Sequence, residues 1–178
     1  SSQQIYVDIY KLGPFFPLAF AVTAGIMMGA HFINASIVLR LGMRRISHTA
    51  VLLIIAIAAG LTIWSHFAPV PLPAFFVLVT CILFFYGFAP NNLNSLSMEP
   101  LGAVAGTASS VFGFMQTVGG ALIGTYTGLA FDGTVAPVSL GFLTVGLLTL
   151  GGILAAEKGK LFGVGEKYQE SIAPMFSE

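Results

Sequence analysis

The side chains here that could do chemistry are few, and each stands alone. His31, Asn34, Asn91, Asn92, Asn94 and Gln116 interrupt long apolar stretches. An imidazole can carry a proton or contact a ligand, and a primary amide can orient a polar group. The spacing fits no nucleophile–base set of the Ser–His–Asp or Cys–His kind. Cys81 is the single cysteine, so neither an internal disulfide nor a cysteine metal set is possible. A haem needs two imidazoles at matching depth on different helices, whereas His31 and His48 differ in depth by ~13 Å at helical rise. The chain is therefore expected not to be an enzyme, with no catalytic residue, no metal and no cofactor. No Asp or Glu interrupts the apolar stretches, which leaves His31 as the one group that could titrate there.

What must position these residues is set by an absence of charge. From residue 46 to residue 98 there is no Asp, Glu, Lys or Arg, and the whole chain is 8% charged and 56% hydrophobic. A water-soluble domain cannot be so uncharged, because its elements show a polar face to solvent. Lipid is the solvent that tolerates it, and a lipid bilayer is the first partner expected. The balanced net charge offers no footprint for nucleic acid. Five stretches reach the ~20 apolar residues a crossing needs: 15–41, 48–67, 73–98, 103–131 and 135–156. They are continuously apolar, which favours helices over the alternating strands of a barrel. The expected fold is an all-α membrane protein with five transmembrane helices, kinked near Pro90.

Lys and Arg in short loops orient the bundle. Arg40, Arg44 and Arg45 follow the first span, and Lys158, Lys160 and Lys167 follow the fifth. The loops at the other end, 68–72 and 132–134, carry neither residue, and Lys11 is the one exception, balanced by Asp8. This predicts residues 1–13 as an extracytoplasmic loop, 14–157 as the bundle and 158–178 as a cytoplasmic tail, with the N-terminus outside. Arg44 and Arg45 serve first as topology determinants in a basic loop and second as a gating contact. Five spans with opposed termini suit a piece of a larger bundle.

At about 100° per residue, three spans show coherent polar–aromatic stripes. The first holds Phe16, Phe20, Thr23, Met27, His31 and Asn34, with Gly25 and Gly29 on the opposite side. The third holds Phe76, Thr80, Gly87, Asn91 and Asn94. The fourth holds Ser109, Phe112, Gln116, Ile123 and Thr127 beside a glycine ridge through Gly106, Gly113, Gly120 and Gly124. The second and fifth spans lack such stripes and are expected to face lipid. Three stripes around one hollow predict a wet or ligand-filled interior.

One stretch carries a resemblance. Residues 86–116 include Ala89-Pro90-Asn91-Asn92 and the run Ala105-Gly106-Thr107-Ala108-Ser109-Ser110, ending at Gln116. This segment resembles helices ten and eleven of bicyclomycin-resistance-like drug:proton antiporters, bacterial multidrug-efflux carriers of the major facilitator superfamily. Leu39-Arg40-Leu41-Gly42-Met43-Arg44-Arg45 is similar to their basic loop between helices eight and nine, and residues 156–162 to the end of helix twelve. The resemblance implies that the chain is part of the carboxy-terminal half of such a bundle, helices eight to twelve. It implies a bacterial inner-membrane location, and the preceding helices of the same carrier as a partner. Helices eight, ten and eleven of that superfamily line the cavity, which agrees with the stripes.

The expected function is then proton-coupled export of small amphipathic molecules by alternating access, expected of the whole carrier and not of five helices alone. Phe16, Phe20, Thr23, Met27, His31, Asn34, Asn91, Ser109, Phe112 and Gln116 are the expected cavity residues. Aromatic and Met side chains would give adaptable apolar contact, and amides orientation. A same-fold importer of a metabolite is the nearest alternative, disfavoured because no Arg or Lys lies at bilayer depth to hold an anion. A non-transporting membrane subunit is the other.

Overall fold

The structure, a computed structural model, describes residues 10–11 and 13–162, the side chains of residues 16 and 103 aside. After a 3-10 turn at Gly13–Phe15 come α1 (Phe16–Leu41), α2 (Met43–Phe67), α3 (Leu72–Tyr86) and α4 (Ala89–Met98). A 3-10 segment, Glu99–Val104, leads to α5 (Ala105–Leu129) and then α6 (Ala136–Ala156). Among the described residues there is no strand. Among the described residues, four stretches are long and apolar enough to cross a membrane: Pro17–Leu41, Met43–Phe67, Leu72–Leu101 and Ala136–Ala156. The protein is thus all-helical, with the helices of a multi-pass membrane protein. The fourth expected span, α5, has the length, since 25 residues rise about 37 Å. Its glycines, with Thr107, Ser109, Ser110, Gln116 and Thr117, dilute its apolarity, and it is not among the four.

Two helix boundaries differ from expectation. The chain reverses between α1 and α2 at Gly42 alone, whose φ of +81° is open to glycine and strained for other residues. No basic loop remains. Arg40 sits in the last turn of α1, and Arg44 and Arg45 sit in the first turn of α2. The kink expected at Pro90 falls at Gly87 and Phe88 instead. There the helix tightens: the Gly87 N–H reaches Phe84 O at 3.0 Å and the Phe88 N–H reaches Phe85 O at 3.0 Å. Pro90 then lies in the first turn of α4, where a missing N–H removes no helical bond. Gly87 is needed because α1 passes so close. A Cβ on it would lie 2.7 Å from Ala30 Cβ and 3.2 Å from the Met27 carbonyl.

The centre of the bundle is α2. Ile46, Ala50, Ile54, Ala58 and Leu61 run down its buried side, and its strongest packing partner is α6, followed by α3 and α4. This corrects the expectation that the second span faces lipid. Apolar helices gain nothing from hydrophobicity when they leave lipid for one another; close packing of small residues decides. Ala58 is wholly buried, and Gly146 of α6 lets Ile55 approach to 2.8 Å of where a Cβ would stand. The outer side of α6, with Leu140, Leu147 and Leu148, stays exposed.

The α5–α6 turn is closed by Asp132. Its Oδ1 accepts from the Thr134 hydroxyl at 2.6 Å and from the Thr134 N–H at 2.9 Å. These bonds, the hydroxyl's first, hold the carboxyl below the usual carboxylate range. The Thr134 hydroxyl in turn accepts the Ala136 N–H at 3.2 Å, satisfying one orphan donor of α6. At the opposite end, residues 158–162 fold back on the bundle rather than trailing as a tail. Leu161 packs against the buried cluster that includes Ile46, Ala50 and Phe88. The remainder of the expected tail, 163–178, and residues 1–9 of the expected outer loop lie outside the described residues.

Candidate membrane-embedded polar site

The α1 stripe turns toward α3 and α4. Thr23, Met27 and His31 are half-buried, Ala30 is wholly buried and Asn34 is buried. The crossing permitted by Gly87 and Ala30 brings the last turns of α1 beside the first turn of α4. There Asn92 donates through Nδ2 to Asn34 Oδ1 at 2.8 Å and to its own helix at Phe88 O, also 2.8 Å. The return bond, from Asn34 Nδ2 to Asn92 Oδ1, is 3.4 Å long. One turn away, Asn91 Nδ2 lies 3.2 Å from His31 Nδ1, which accepts when the ring carries its proton on Nε2.

The two pairs differ in access. Asn34 and Asn92 are shut away, so each amide satisfies the other in a setting without water. Asn91 is exposed and His31 half-exposed, so this pair can exchange partners with a ligand or with a proton carrier. Together they make a polar strip whose inner half is locked and whose outer half is open. Asn92 belongs to the site more firmly than Asn91, which sequence reasoning favoured. Its signal was the adjacency to Pro90, a place where polar side chains take up freed backbone groups.

The remaining expected cavity residues are placed elsewhere. Phe20 is 60% exposed, Ser109 and Gln116 are exposed, and Phe112 is half-buried. Of Phe16 only the backbone is described. The other end of the α5 stripe faces α6: Ile123 and Thr127 line an open cavity of about 560 Å³ whose further walls include Ile54, Ile82, Tyr86 and Gly146. Its lining comes from α2 through α6 and includes no charged residue. Thr127 and Thr149 donate to their own helices at Ile123 O and Val145 O, both at 2.8 Å. The expectation of three stripes converging on one hollow is therefore corrected. α1 meets α3 and α4 at the polar strip, while α5 meets α6 at an apolar cavity. Polarity was the wrong guide to the hollow, because its walls are mostly aliphatic side chains and glycines, with the rings of Tyr86 and Phe142.

The basic residues take separate roles. Arg44 Nε binds Glu157 Oε1 at 2.7 Å, joining the start of α2 to the end of α6. Arg40 and Arg45 are exposed at the same end. His48 is 1% exposed, and its Nδ1 accepts the Phe162 N–H at 3.1 Å. Compared with protein-family models, curated proteins and solved structures, the chain matches none of them.

Proposed function

We propose that this chain is part of a membrane carrier that exports small amphipathic molecules by alternating access, with the polar strip of α1 and α4 facing the substrate path. The observation that carries the reading is the strip itself. An imidazole and three amides meet on two helices of an otherwise uncharged membrane stretch, and half of them stay accessible. Polar groups at bilayer depth are costly and mark pathways more often than surfaces. Thr23 and Met27 on the same face would hold the apolar part of a substrate, with Phe20 and Phe16 further along the helix.

In this reading α5 is a fifth span despite its composition, tolerated because its Gly and Thr face other helices. A Cβ at Gly25 or Gly29 of α1, or at Gly106, Gly113 or Gly120 of α5, would meet nothing within 4 Å. Those open small-residue faces would seat the further helices of the same carrier, and Phe112 and Gln116 would then face the substrate across that junction. Arg44 bonded to Glu157 brings the basic turn and the 158–160 lysines to one end, which the reading assigns to the cytoplasm of a bacterial cell. Coupling to protons would fall to His31 here or to an acid on a preceding helix.

Dye efflux is the test. Cells producing the complete product of the gene should expel a lipophilic cationic dye, and His31→Ala or Asn34→Ala should slow that efflux about tenfold at unchanged membrane abundance. Leu39→Ala, at a position 93% exposed, should leave the rate unaltered. Equal efflux in all variants, or dye transport by this chain alone in liposomes, contradicts the proposal.

A further inference from the structure

The geometry points to a proton-released clasp at the basic end of the bundle: neutral His48 holds residues 158–162 against α2, and protonation of its Nδ1 frees them. His48 is in the second turn of α2 and is 1% exposed. What closes over it is the segment leaving α6. Lys158, with φ +50°, and Gly159, with φ +80°, reverse the chain, and Gly159 N–H caps Leu154 O at 2.7 Å. The reversal puts Leu161 into the apolar cluster around Ile46 and Ala50 and lays the Phe162 ring edge-on to the imidazole, with centroids 5.6 Å apart. Phe162 N–H then donates to His48 Nδ1 at 3.1 Å.

That bond exists for one protonation state. In the neutral ring with its hydrogen on Nε2, Nδ1 is an acceptor. A proton taken from solvent at Nδ1 sets an N–H against an N–H at the same distance and puts a cation in a dry place. The charged groups that act on the ring are Glu157 at the end of α6 and Arg44 one turn earlier on α2. Glu157 already binds Arg44 at 2.7 Å, so the carboxylate is shared between the two cations. The closing segment itself carries two further cations, Lys158 and Lys160. Phe162 leaves, Leu161 follows it out of the cluster, and the Arg44–Glu157 pair still tethers the end of α6 to α2. The bonded form is thus favoured at high pH and lost as pH falls, and the device senses the compartment at the basic end of the bundle.

Hydrogen–deuterium exchange of residues 158–162 tests this in the full chain in detergent, comparing about pH 8 with about pH 5, either side of the ordinary imidazole value near 6.5, after correction for intrinsic exchange. The Phe162 amide should lose about tenfold or more of its protection at the lower pH. In His48→Gln, whose amide oxygen accepts at any pH, that loss should vanish. Equal wild-type protection at the two pH values, or the same loss in His48→Gln, overturns the clasp. Should His48→Gln fail to fold, the wild-type imidazole ¹⁵N resonances decide: Nδ1 protonation and Phe162 release must share a midpoint, and separate midpoints overturn it.

Discussion

The α2–α6 seam and the α1–α4 crossing join helices of the same bundle by opposite means. The seam is apolar: Ala58 and Leu61 are wholly buried on α2, and Gly146 gives Ile55 room on α6. The crossing is narrow and polar: Gly87 lies against Ala30, and beside it Asn34 and Asn92 exchange amide bonds. In water the first would be ascribed to hydrophobicity and the second to specificity. In lipid both reduce to shape, because a leucine has no reason to prefer a helix over an acyl chain unless it fits better there. The difference teaches where each seam is brittle. Backbone stands against backbone at the crossing, whereas the α2–α6 contact is between a backbone and a rotatable side chain.

Alanine at the two glycines should expose that difference most strongly. At Gly87 the new methyl meets Ala30 Cβ at 2.7 Å, Phe84 O at 3.1 Å and Met27 O at 3.2 Å, two of them carbonyls that cannot rotate away. Gly87→Ala should cost about 2–3 kcal/mol of unfolding free energy, the upper part of the overpacking range. At Gly146 the obstacle is Ile55 Cγ1 at 2.8 Å, which a rotamer change can move, and the cost should be nearer 1 kcal/mol. Gly120→Ala, which meets nothing within 4 Å, serves as the reference and should be neutral or gain up to about 1 kcal/mol from helix propensity. Unfolding in mixed micelles measures all three. An equal cost at Gly87 and Gly146 would erase the distinction drawn between the seams.

The amide pair gives a smaller and more discriminating effect. Asn92→Ala strands the buried Asn34 amide and should cost about 1–2 kcal/mol. A double-mutant cycle with Asn34→Ala should return a coupling of about 0.6 kcal/mol, up to ~1.7, as for other interhelical bonds in membranes. If both are replaced by leucine, stability should recover toward that of the parent, since two apolar partners leave nothing unsatisfied. A double-leucine variant as unstable as Asn92→Ala would mean that the crossing tolerates no change of shape, and that its hydrogen bonds were incidental.

Much of this fold was legible in the sequence. The uncharged run from 46 to 98 announced membrane helices, and the 3.6-residue spacing of Thr23, Met27, His31 and Asn34 gathered them on one side of α1, which the structure turns toward α3 and α4. The roles of α2 and α5 were not legible. Face assignment by polarity presumes that the interior is wetter than the surroundings, and around α2 it is not: the residues that bury it, Ala50, Ala58 and Leu61, are as apolar as those left in lipid. Conversely the polar and small residues of α5 made it look interior, yet none of its residues is buried. His48 escaped notice because its partner is a backbone N–H more than a hundred residues away, and no side-chain pattern marks a bond to a main-chain group. Gly87, read as one member of the third span's stripe, was not visible as a contact, since what distinguishes it is the neighbouring helix; Gly42 is distinguished by its own positive φ, with nothing within 4 Å of where a Cβ would stand.

The gentlest probe concerns how the α2–α6 seam ends. Lys158 occupies the left-handed region at φ +50° in the position that follows the last turn of α6, where glycine is the usual occupant. A side chain with a Cβ is held there at a cost of about 1 kcal/mol. The seam can absorb this cost because its apolar packing is extensive and the reversal delivers Leu161 to the core. Lys158→Gly should therefore stabilise the folded chain by about 0.5–1 kcal/mol, with the looser unfolded chain taking back part of the relief. The same change at Lys160, for which no positive φ is recorded, should gain nothing. Thermal unfolding at neutral pH separates them. A loss of stability in Lys158→Gly would show that the lysine side chain holds the reversal in place more strongly than its backbone resists it, and that the end of the seam is fastened by charge as the crossing is by amides.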